Sequence, residues 1–191
     1  MAKKKSKKQA YVLGVQVPQG VSVELAQQEG GFVKLVLKKG AVQNSKLFDN
    51  KVAKLKLEEG KLTVSAKREG KRQKTVAGTF QSHIKNMLAG LDSPHVYKLK
   101  VCAGHFPVQV SLTGSTFTIK NFLGESVPRV LQIKEGVKVK VSGTEVVVES
   151  PDLELAGQTA ASIETLSRIT GKDSRIFQDG IYIVEKDGKP I

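Results

Sequence analysis

The 191-residue sequence has one cysteine, no tryptophan and an aromatic content of only 5%. A single thiol, Cys102, cannot form an intramolecular disulfide, which excludes a disulfide-stapled scaffold and fits a reducing cytoplasm. Because it lies between Val101 and Ala103 in an alternating segment, we expect Cys102 to be a small core or strand residue. The fold must therefore be stabilised by ordinary apolar packing, for which the 39% hydrophobic content is sufficient.

Long apolar runs are also missing. No segment reaches the roughly 18 apolar residues that a membrane span needs, and no amphipathic basic helix suggests a membrane surface. The first ten residues, MAKKKSKKQA, carry five lysines but no apolar region after them. They are therefore predicted to be a disordered basic tail and not a secretory signal, so we expect a cytoplasmic protein with no membrane partner.

Recognisable catalytic and cofactor motifs are missing as well. His83, His95 and His105 stand apart from one another and from Cys102 at any zinc-ligand spacing, so no metal site is predicted. The sequence has no GxGxxG, GxxxxGK[ST] or GxSxG pattern and no evident Ser, His and Asp set. We therefore expect neither an enzyme nor a cofactor.

Acidic residues are few: 31 Lys and Arg outnumber 18 Asp and Glu, which gives a formal charge of +13. Nucleic acid is the natural partner for such a balance. The excess is uneven, since residues 1–92 have a net charge of +12 and residues 93–191 a net charge of +1. If the second half binds a polyanion, its acidic residues should lie on the side away from the binding surface.

The residues that are present repeat one plan twice. Alternating apolar and polar residues, interrupted by glycines, predict antiparallel strands with one covered face, and a hairpin in each half crosses Glu58-Glu59-Gly60 or Ser142-Gly143. An Ala-Gly step then precedes a helical pattern, over 76–90 in the first half and from Ala156 in the second. We therefore predict an α+β fold of two similar tandem domains, each a mostly antiparallel sheet with one helix packed on one face: a tail at 1–10, a first domain at 11–92 and a second at 93–191.

Glycines mark both predicted helices. Gly90 is expected just past the end of the first helix. Gly78 and Gly157 are expected to precede helices, where they either expose amides to an anion or let a strand turn closely into the helix. Asp179-Gly180 is expected to form a turn.

A basic run, KREGKRQK, separates the last strand of the first half from its helix. It is predicted to be an exposed loop, and it either is simply solvated or contacts phosphate. Its candidate RNA-binding residues are Lys67, Arg68, Lys71, Arg72 and Lys74.

The closing segment Arg175-Ile176-Phe177-Gln178-Asp179-Gly180-Ile181-Tyr182-Ile183, followed by Lys186, resembles the closing signature of the archaeal and eukaryotic branch of the ribosomal protein L6 family. Asn121-Phe122-Leu123-Gly124-Glu125 in the second half and Gly78-Thr79 with Ile84, Asn86 and Met87 in the first are similar to the same family. The resemblance extends from about Val15 over nearly the whole chain. It implies a structural constituent of the large ribosomal subunit that binds large-subunit rRNA near the sarcin-ricin region, with neighbouring ribosomal proteins, with translation factors docking nearby, and with most of the RNA contact in the second domain.

Residue chemistry then selects the contacts of the second domain. Lys120, Arg129, Lys172 and Arg175 are candidates for phosphate, and the guanidinium of Arg175 can engage two oxygens. Asn121 and Phe122 complete the candidate set. Phe122 and Phe177 either stack on an unpaired base or pack inside the domain, Phe177 together with Ile176 and Ile181 as an anchor of the tail to the sheet.

Because the second half is nearly neutral overall, a local patch is expected to carry the binding, formed by residues 98–140 with Lys172 and Arg175. The alternative function is a basic non-ribosomal scaffold, or an assembly protein that binds RNA.

Overall fold

The computed structural model describes residues 11–58, 60–66, 70–173 and 175–191. The chain divides into two compact units, with the boundary between Asp92 and Ser93. Each unit combines antiparallel sheets with one long helix, so the predicted α+β fold is confirmed. Each unit has two sheets, however, where one was predicted.

Within its described residues, the first unit contains six strands and one α-helix. Its strands pair in the orders β1-β6-β5 and β2-β3-β4, and every pairing is antiparallel. The predicted hairpin is present, with Leu57 opposite Leu62. The elements are β1 Val12–Gln16, β2 Ser22–Gln28, β3 Phe32–Lys39, β4 Val42–Asp49, β5 Ala53–Glu58, β6 Lys61–Ala66 and α1 Lys71–Asp92.

Helix α1 covers the apolar side of the first unit. Phe80, Ile84, Met87 and Leu88 are buried on one stripe, as the spacing predicted, and the ring of Phe80 meets that of Phe48 edge-on at 4.8 Å. The helix is longer than predicted at both ends. Gly90 is buried inside it, so its predicted position past the end is wrong, because the stripe continues through the buried Leu91.

The described part of the second unit contains eight strands and one α-helix. Its strand orders are β10-β9-β8 and β11-β12-β7-β13-β14, again with antiparallel pairing throughout. Cys102 ends β7 as a half-buried free thiol. The elements are β7 His95–Cys102, β8 Gln109–Thr113, β9 Thr116–Lys120, β10 Arg129–Gln132, β11 Lys138–Ser142, β12 Glu145–Ser150, α2 Leu153–Leu166, β13 Gly180–Lys186 and β14 Lys189–Pro190.

Strand alternation in the second unit separates its core from its polar face. Leu99 lies between Val146 of β12 and Ile183 of β13, and Leu99 and Val146 are fully buried. The neighbouring Lys98 and Lys100 are exposed. This is the pattern expected of a sheet with one covered face.

Helix α2 is fixed at both ends. The Asp152 carboxylate caps its first turn by accepting a hydrogen bond from the Glu154 amide at 2.9 Å. At its other end the buried Ser167 hydroxyl accepts a hydrogen bond from the Ile181 amide at 2.8 Å, and the Glu164 carboxylate accepts one from the Ile183 amide at 3.2 Å. These two bonds join the end of α2 to β13.

Gly78 and Gly157 lie inside α1 and α2, so the prediction that they precede the helices is wrong. Gly157 is needed where it stands, because a Cβ there would lie 3.0 Å from Tyr97 Oη. A Cβ on Gly78 would meet nothing within 4 Å. The shared Ala-Gly step therefore has a packing reason in the second unit only.

Candidate nucleic-acid interface

The start of β13 is joined to the loop after β7 by one buried carboxylate. Asp179 is 3% exposed, and its Oδ1 accepts hydrogen bonds from the amides of Gly104 and His105 at 2.6 and 3.0 Å. Its Oδ2 lies 2.5 Å from His105 Nδ1. The predicted turn at Asp179-Gly180 is therefore wrong: Asp179 is an internal acceptor, and Gly180 begins β13.

Burial raises the pKa of the Asp179 carboxyl, but the hydrogen bonds from His105 and Gly104 outweigh it. The pKa is therefore below its ordinary value, and the group is a carboxylate at neutral pH. Its negative charge is directed inward, toward three donors, and away from the surface.

An aromatic and cationic stack is built on this carboxylate. The His105 ring is stacked on Phe177, with centroids 4.6 Å apart and an interplanar angle of 26°. Lys172 Nζ lies 4.5 Å from the centroid of Phe177. We call these three side chains the His105 stack.

The anchor predicted for the tail is confirmed only in part. Phe177 is half-buried and Ile181 is 1% exposed, so both fix the tail to the unit. Ile176 is 65% exposed, so its predicted place in the anchor is wrong.

A second group of candidate residues follows β9. Asn121 and Leu123 have left-handed backbones, with φ of 56° and 52°, around the 3-10 turn at Phe122–Gly124. This turn places Phe122 inside the unit at 1% exposure, so the structure shows the packing alternative for its ring. Asn121 is exposed, and its side-chain amide donates to the Pro107 carbonyl at 3.0 Å.

Arg129 has internal partners on every side. Its guanidinium binds both oxygens of Glu125, at 2.9 and 2.6 Å, and donates to the carbonyls of Leu166 and Arg168 at 2.8 and 3.0 Å. Its Cζ lies 4.4 Å from the centroid of the Phe122 ring. The structure gives Arg129 a positioning role in the β9–β10 loop, and its phosphate contact stays a prediction.

Glu125 extends this network toward the tail. The hydrogen bond from Arg129 lowers the pKa of the Glu125 carboxyl, and the charges of Arg129 and Lys172 lower it further against the opposing effect of burial. Lys172 is therefore close enough to Glu125 to affect it electrostatically.

The exposed candidates Arg175, Lys120 and Lys172 differ in whether an acidic side chain pairs with them. Arg175 is bound by Asp173, with Nη2 2.8 Å from Oδ2, and this hydrogen bond lowers the pKa of Asp173. With its side chain 88% exposed, the pair is open to solvent, where such pairs are weak. Lys120 and Lys172 are exposed and have no salt bridge within the part of the chain that the structure describes.

Acidic residues do not lie on the side away from this surface. Glu185 binds Lys98 and Glu149 binds Lys140, at 2.8 and 3.0 Å, in addition to the Glu125 and Asp173 pairs. The expected segregation of charge is therefore wrong. Cations and acids alternate because cross-strand pairs of opposite charge stabilise a solvated sheet face.

Part of the basic run of the first unit belongs to helix α1. Lys71, Arg72 and Lys74 are exposed residues of the first turn of α1, and that turn contains no acid. The loop prediction is wrong for these residues, because Lys and Arg are good helix formers and extend the helix. Lys74 Nζ lies 5.5 Å from the Tyr11 ring centroid, while Lys67 and Arg68 lie outside the described residues.

Two residues of the site were missed from the sequence. Asp179 and His105 meet across a sequence separation of 74 residues, which no local pattern indicates. The pairing of Glu125 with Arg129 could have been found, since the two have opposite charges four residues apart.

The described residues contain neither a metal-binding cluster nor a membrane-spanning helix. No group of three or more His, Cys, Asp or Glu side chains that could hold a metal ion occurs in residues 11–58, 60–66, 70–173 and 175–191. Within these same ranges, no helix has the length and apolar character required to span a membrane.

Comparison with known proteins identifies the class. Residues 106–180 match the model of the family described as ribosomal protein L6. The chain is similar to three proteins named large ribosomal subunit protein uL6: 43% identical to that of Methanococcus vannielii, over 92% of this chain and 93% of the relative; 42% to that of Methanosarcina mazei, over 90% and 95%; and 40% to that of Aeropyrum pernix, over 91% and 93%.

The chain therefore belongs to the ribosomal protein L6 family. Membership makes it a structural ribosomal protein of the cytoplasm and not an enzyme, as the sequence predicted.

Proposed function

We propose that the chain is a structural constituent of the large ribosomal subunit that binds large-subunit rRNA near the sarcin-ricin region, beside neighbouring ribosomal proteins and the site where translation factors dock. The observation that carries this proposal is the His105 stack, in which the ammonium of Lys172 is held over Phe177 at an exposed surface. An RNA backbone needs cations at fixed positions, and a cation held on an aromatic ring loses less side-chain freedom on binding.

The binding surface consists of the segments 103–107, 120–129 and 172–177. Lys120, Lys172 and Arg175 supply positive charge at its exposed positions, and Asn121 offers a polar side chain between them. Release of Arg175 from Asp173 costs little, since the pair is exposed, and leaves a fork that matches two phosphate oxygens.

The first unit adds a weaker contribution to RNA binding. Lys71, Arg72 and Lys74 supply positive charge at the start of α1, where the unpaired amides of a helix also favour anions. Lys67 and Arg68 precede them in the sequence. We propose that this segment contacts phosphate without reading sequence or shape.

A salt titration tests the proposal. Binding to an rRNA fragment that carries the sarcin-ricin region is compared with binding to a scrambled RNA of equal length. Both affinities should fall with salt as counterions are released, but the native fragment should stay clearly tighter at the highest salt. Equal affinities for the two RNAs at every salt concentration would mean that the basic surface binds RNA without specificity. This result would favour the scaffold alternative.

A pair of double variants locates the surface. Replacing Lys172 and Arg175 with Ala should weaken binding to the fragment by roughly 5-fold or more for each well-made contact. Replacing the exposed Lys54 and Lys56 of β5 with Ala removes the same charge elsewhere and should have a small effect. Equal losses in the two variants would contradict the assignment of the surface.

A further inference from the structure

An open cavity of about 650 Å³ lies between the loop after β7 and the start of β13. Its walls include Gly104 and His105 on one side and Ile176, Gln178, Asp179 and Tyr182 on the other. Its volume falls within the roughly 300–1,000 Å³ of pockets that take small ligands. The three side chains of the His105 stack contact one another and do not fill this cavity.

Tyr182 forms a fixed aromatic wall of the cavity. Its hydroxyl donates to the Gln178 carbonyl at 3.3 Å, and its ring rests on Gly180, where a Cβ would lie 3.0 Å from the ring. The side chain is nonetheless 42% exposed. A ring that is held on one side and open on the other is a ready stacking platform.

The rim of the cavity has one apolar and one polar side chain, those of Ile176 and Gln178. Ile176 is 65% exposed beside the cavity, without the packing that its neighbour Phe177 has. Gln178 is exposed, and its amide nitrogen makes only a long hydrogen bond of 3.4 Å to the Arg175 carbonyl. Its amide oxygen has no hydrogen bond among the described residues, so the group can offer both a donor and an acceptor.

Charge around the cavity suits an occupant that carries a phosphate. The Asp179 carboxylate in its wall is already bonded to three donors. Lys172 lies over the ring of Phe177, which stacks on His105. A flat uncharged ring fits the interior, while Lys172, which lies outside the cavity wall, supplies positive charge at the other end of the His105 stack.

We propose that this cavity takes one unpaired nucleobase of the bound RNA, stacked on Tyr182 and against Ile176, with the Gln178 amide on its edge and Lys172 near its phosphate. The inference rests on the proposed function. It adds that the protein recognises an unstacked nucleotide in addition to the RNA backbone. Single-stranded bases are read in this way by aromatic side chains, because their faces and edges are accessible.

The test is a double-mutant cycle between RNA and protein. Each unpaired nucleotide of the sarcin-ricin fragment is replaced in turn by an abasic residue, and the affinity is measured for the unmodified chain and for Tyr182→Ala. One abasic position should weaken binding to the unmodified chain roughly tenfold, and the same position should have almost no effect with Tyr182→Ala. Tyr182→Phe, which keeps the ring, should behave like the unmodified chain.

Further variants distinguish the loss of the nucleobase site from a loss of folding. Ile176→Ala should reduce the effect of the same abasic position without changing the melting temperature, because Ile176 is 65% exposed. Ile191→Ala provides the control, being 72% exposed after β14, where its amide donates a hydrogen bond to the Val184 carbonyl. It should leave the abasic effect unchanged.

The outcomes separate the two proposals. Binding that does not distinguish the native from the scrambled fragment would overturn the proposed function. A preserved preference with no abasic position coupled to Tyr182 would overturn the nucleobase site alone. This second result is also what a cavity filled by a neighbouring protein would give.

Discussion

Asp179 and His105 are 74 residues apart in the sequence, yet Asp179 Oδ2 lies 2.5 Å from His105 Nδ1. The same carboxylate binds the amides of Gly104 and His105, so a single buried side chain determines where the loop after β7 lies against β13. Phe177 stacks on the imidazole that this carboxylate orients. The position of the proposed RNA-binding surface thus depends on a residue that itself is buried.

Replacing Asp179 with Asn should lower the free energy of unfolding by about 1–3 kcal/mol at neutral pH, because an amide cannot accept hydrogen bonds from all three donors. Urea unfolding measures the loss. Asp173→Asn is the matched control, and its effect should be small because the Asp173 carboxylate is exposed and, among the described residues, is hydrogen-bonded only to Arg175. Equal effects of the two changes would contradict this account of Asp179.

Stability should also depend on pH through Asp179. Its folded pKa is lower than the unfolded value of about 3.9, so its contribution is complete above about pH 4 and is lost as the pH falls through the folded pKa. The difference in urea midpoint between the unmodified chain and Asp179→Asn should therefore shrink between pH 5 and pH 3. A difference that stays constant over this interval would show that the carboxylate is not stabilised by its donors.

The two helical glycines provide a matched pair of substitutions. Gly78→Ala should raise the free energy of unfolding by about 0.5–1 kcal/mol, since alanine favours the helix and its methyl group meets open space. Gly157→Ala should bring no such gain, because the methyl group would press on Tyr97 Oη at 3.0 Å. Denaturant titration of both variants checks the sign, and an equal gain at the two positions would contradict the packing reason for Gly157.

Arg129→Ala should lower the free energy of unfolding by about 1–3 kcal/mol, because the carboxylate of Glu125 and two carbonyls lose their donor. Arg129→Lys should restore only part of the loss, since an ammonium cannot reproduce the planar fork. Arg168→Ala, at an exposed position nearby, is the control for charge, and urea unfolding is the measurement. Full recovery with lysine would mean that charge alone matters at this position.

Local patterns in the sequence were sufficient for the fold. Alternation marked the β5–β6 and β11–β12 hairpins, and the spacing of Ala156, Ala160 and Ile163 marked the buried face of α2. These predictions succeed because burial repeats with the period of the backbone. The start of α1 at Lys71 was missed because no capping residue announces it among the lysines and arginines that precede the apolar stripe.

The candidate site was harder to predict because its geometry depends on distant contacts. Asp179-Gly180 has the local composition of a turn, but three donors from the loop after β7 make Asp179 an internal acceptor instead. Phe122 follows Lys120 and Asn121 after the end of β9, and the left-handed backbones of Asn121 and Leu123, which turn it inward, could not be read from the sequence. The exposed cations Lys120 and Lys172 were identifiable by their charge alone.

The order of strands in the second unit has a consequence for its synthesis. β13 pairs with β7, the first strand of that unit, and β14 pairs with β13, so the five-stranded sheet is completed by strands that are translated after helix α2. The first unit pairs only strands that precede its own helix, all of which are made before residue 92. During translation the first unit can thus fold while the second still lacks part of its sheet. Asp179 is translated 74 residues after His105, so the proposed RNA-binding surface can form only late in the synthesis of the second unit.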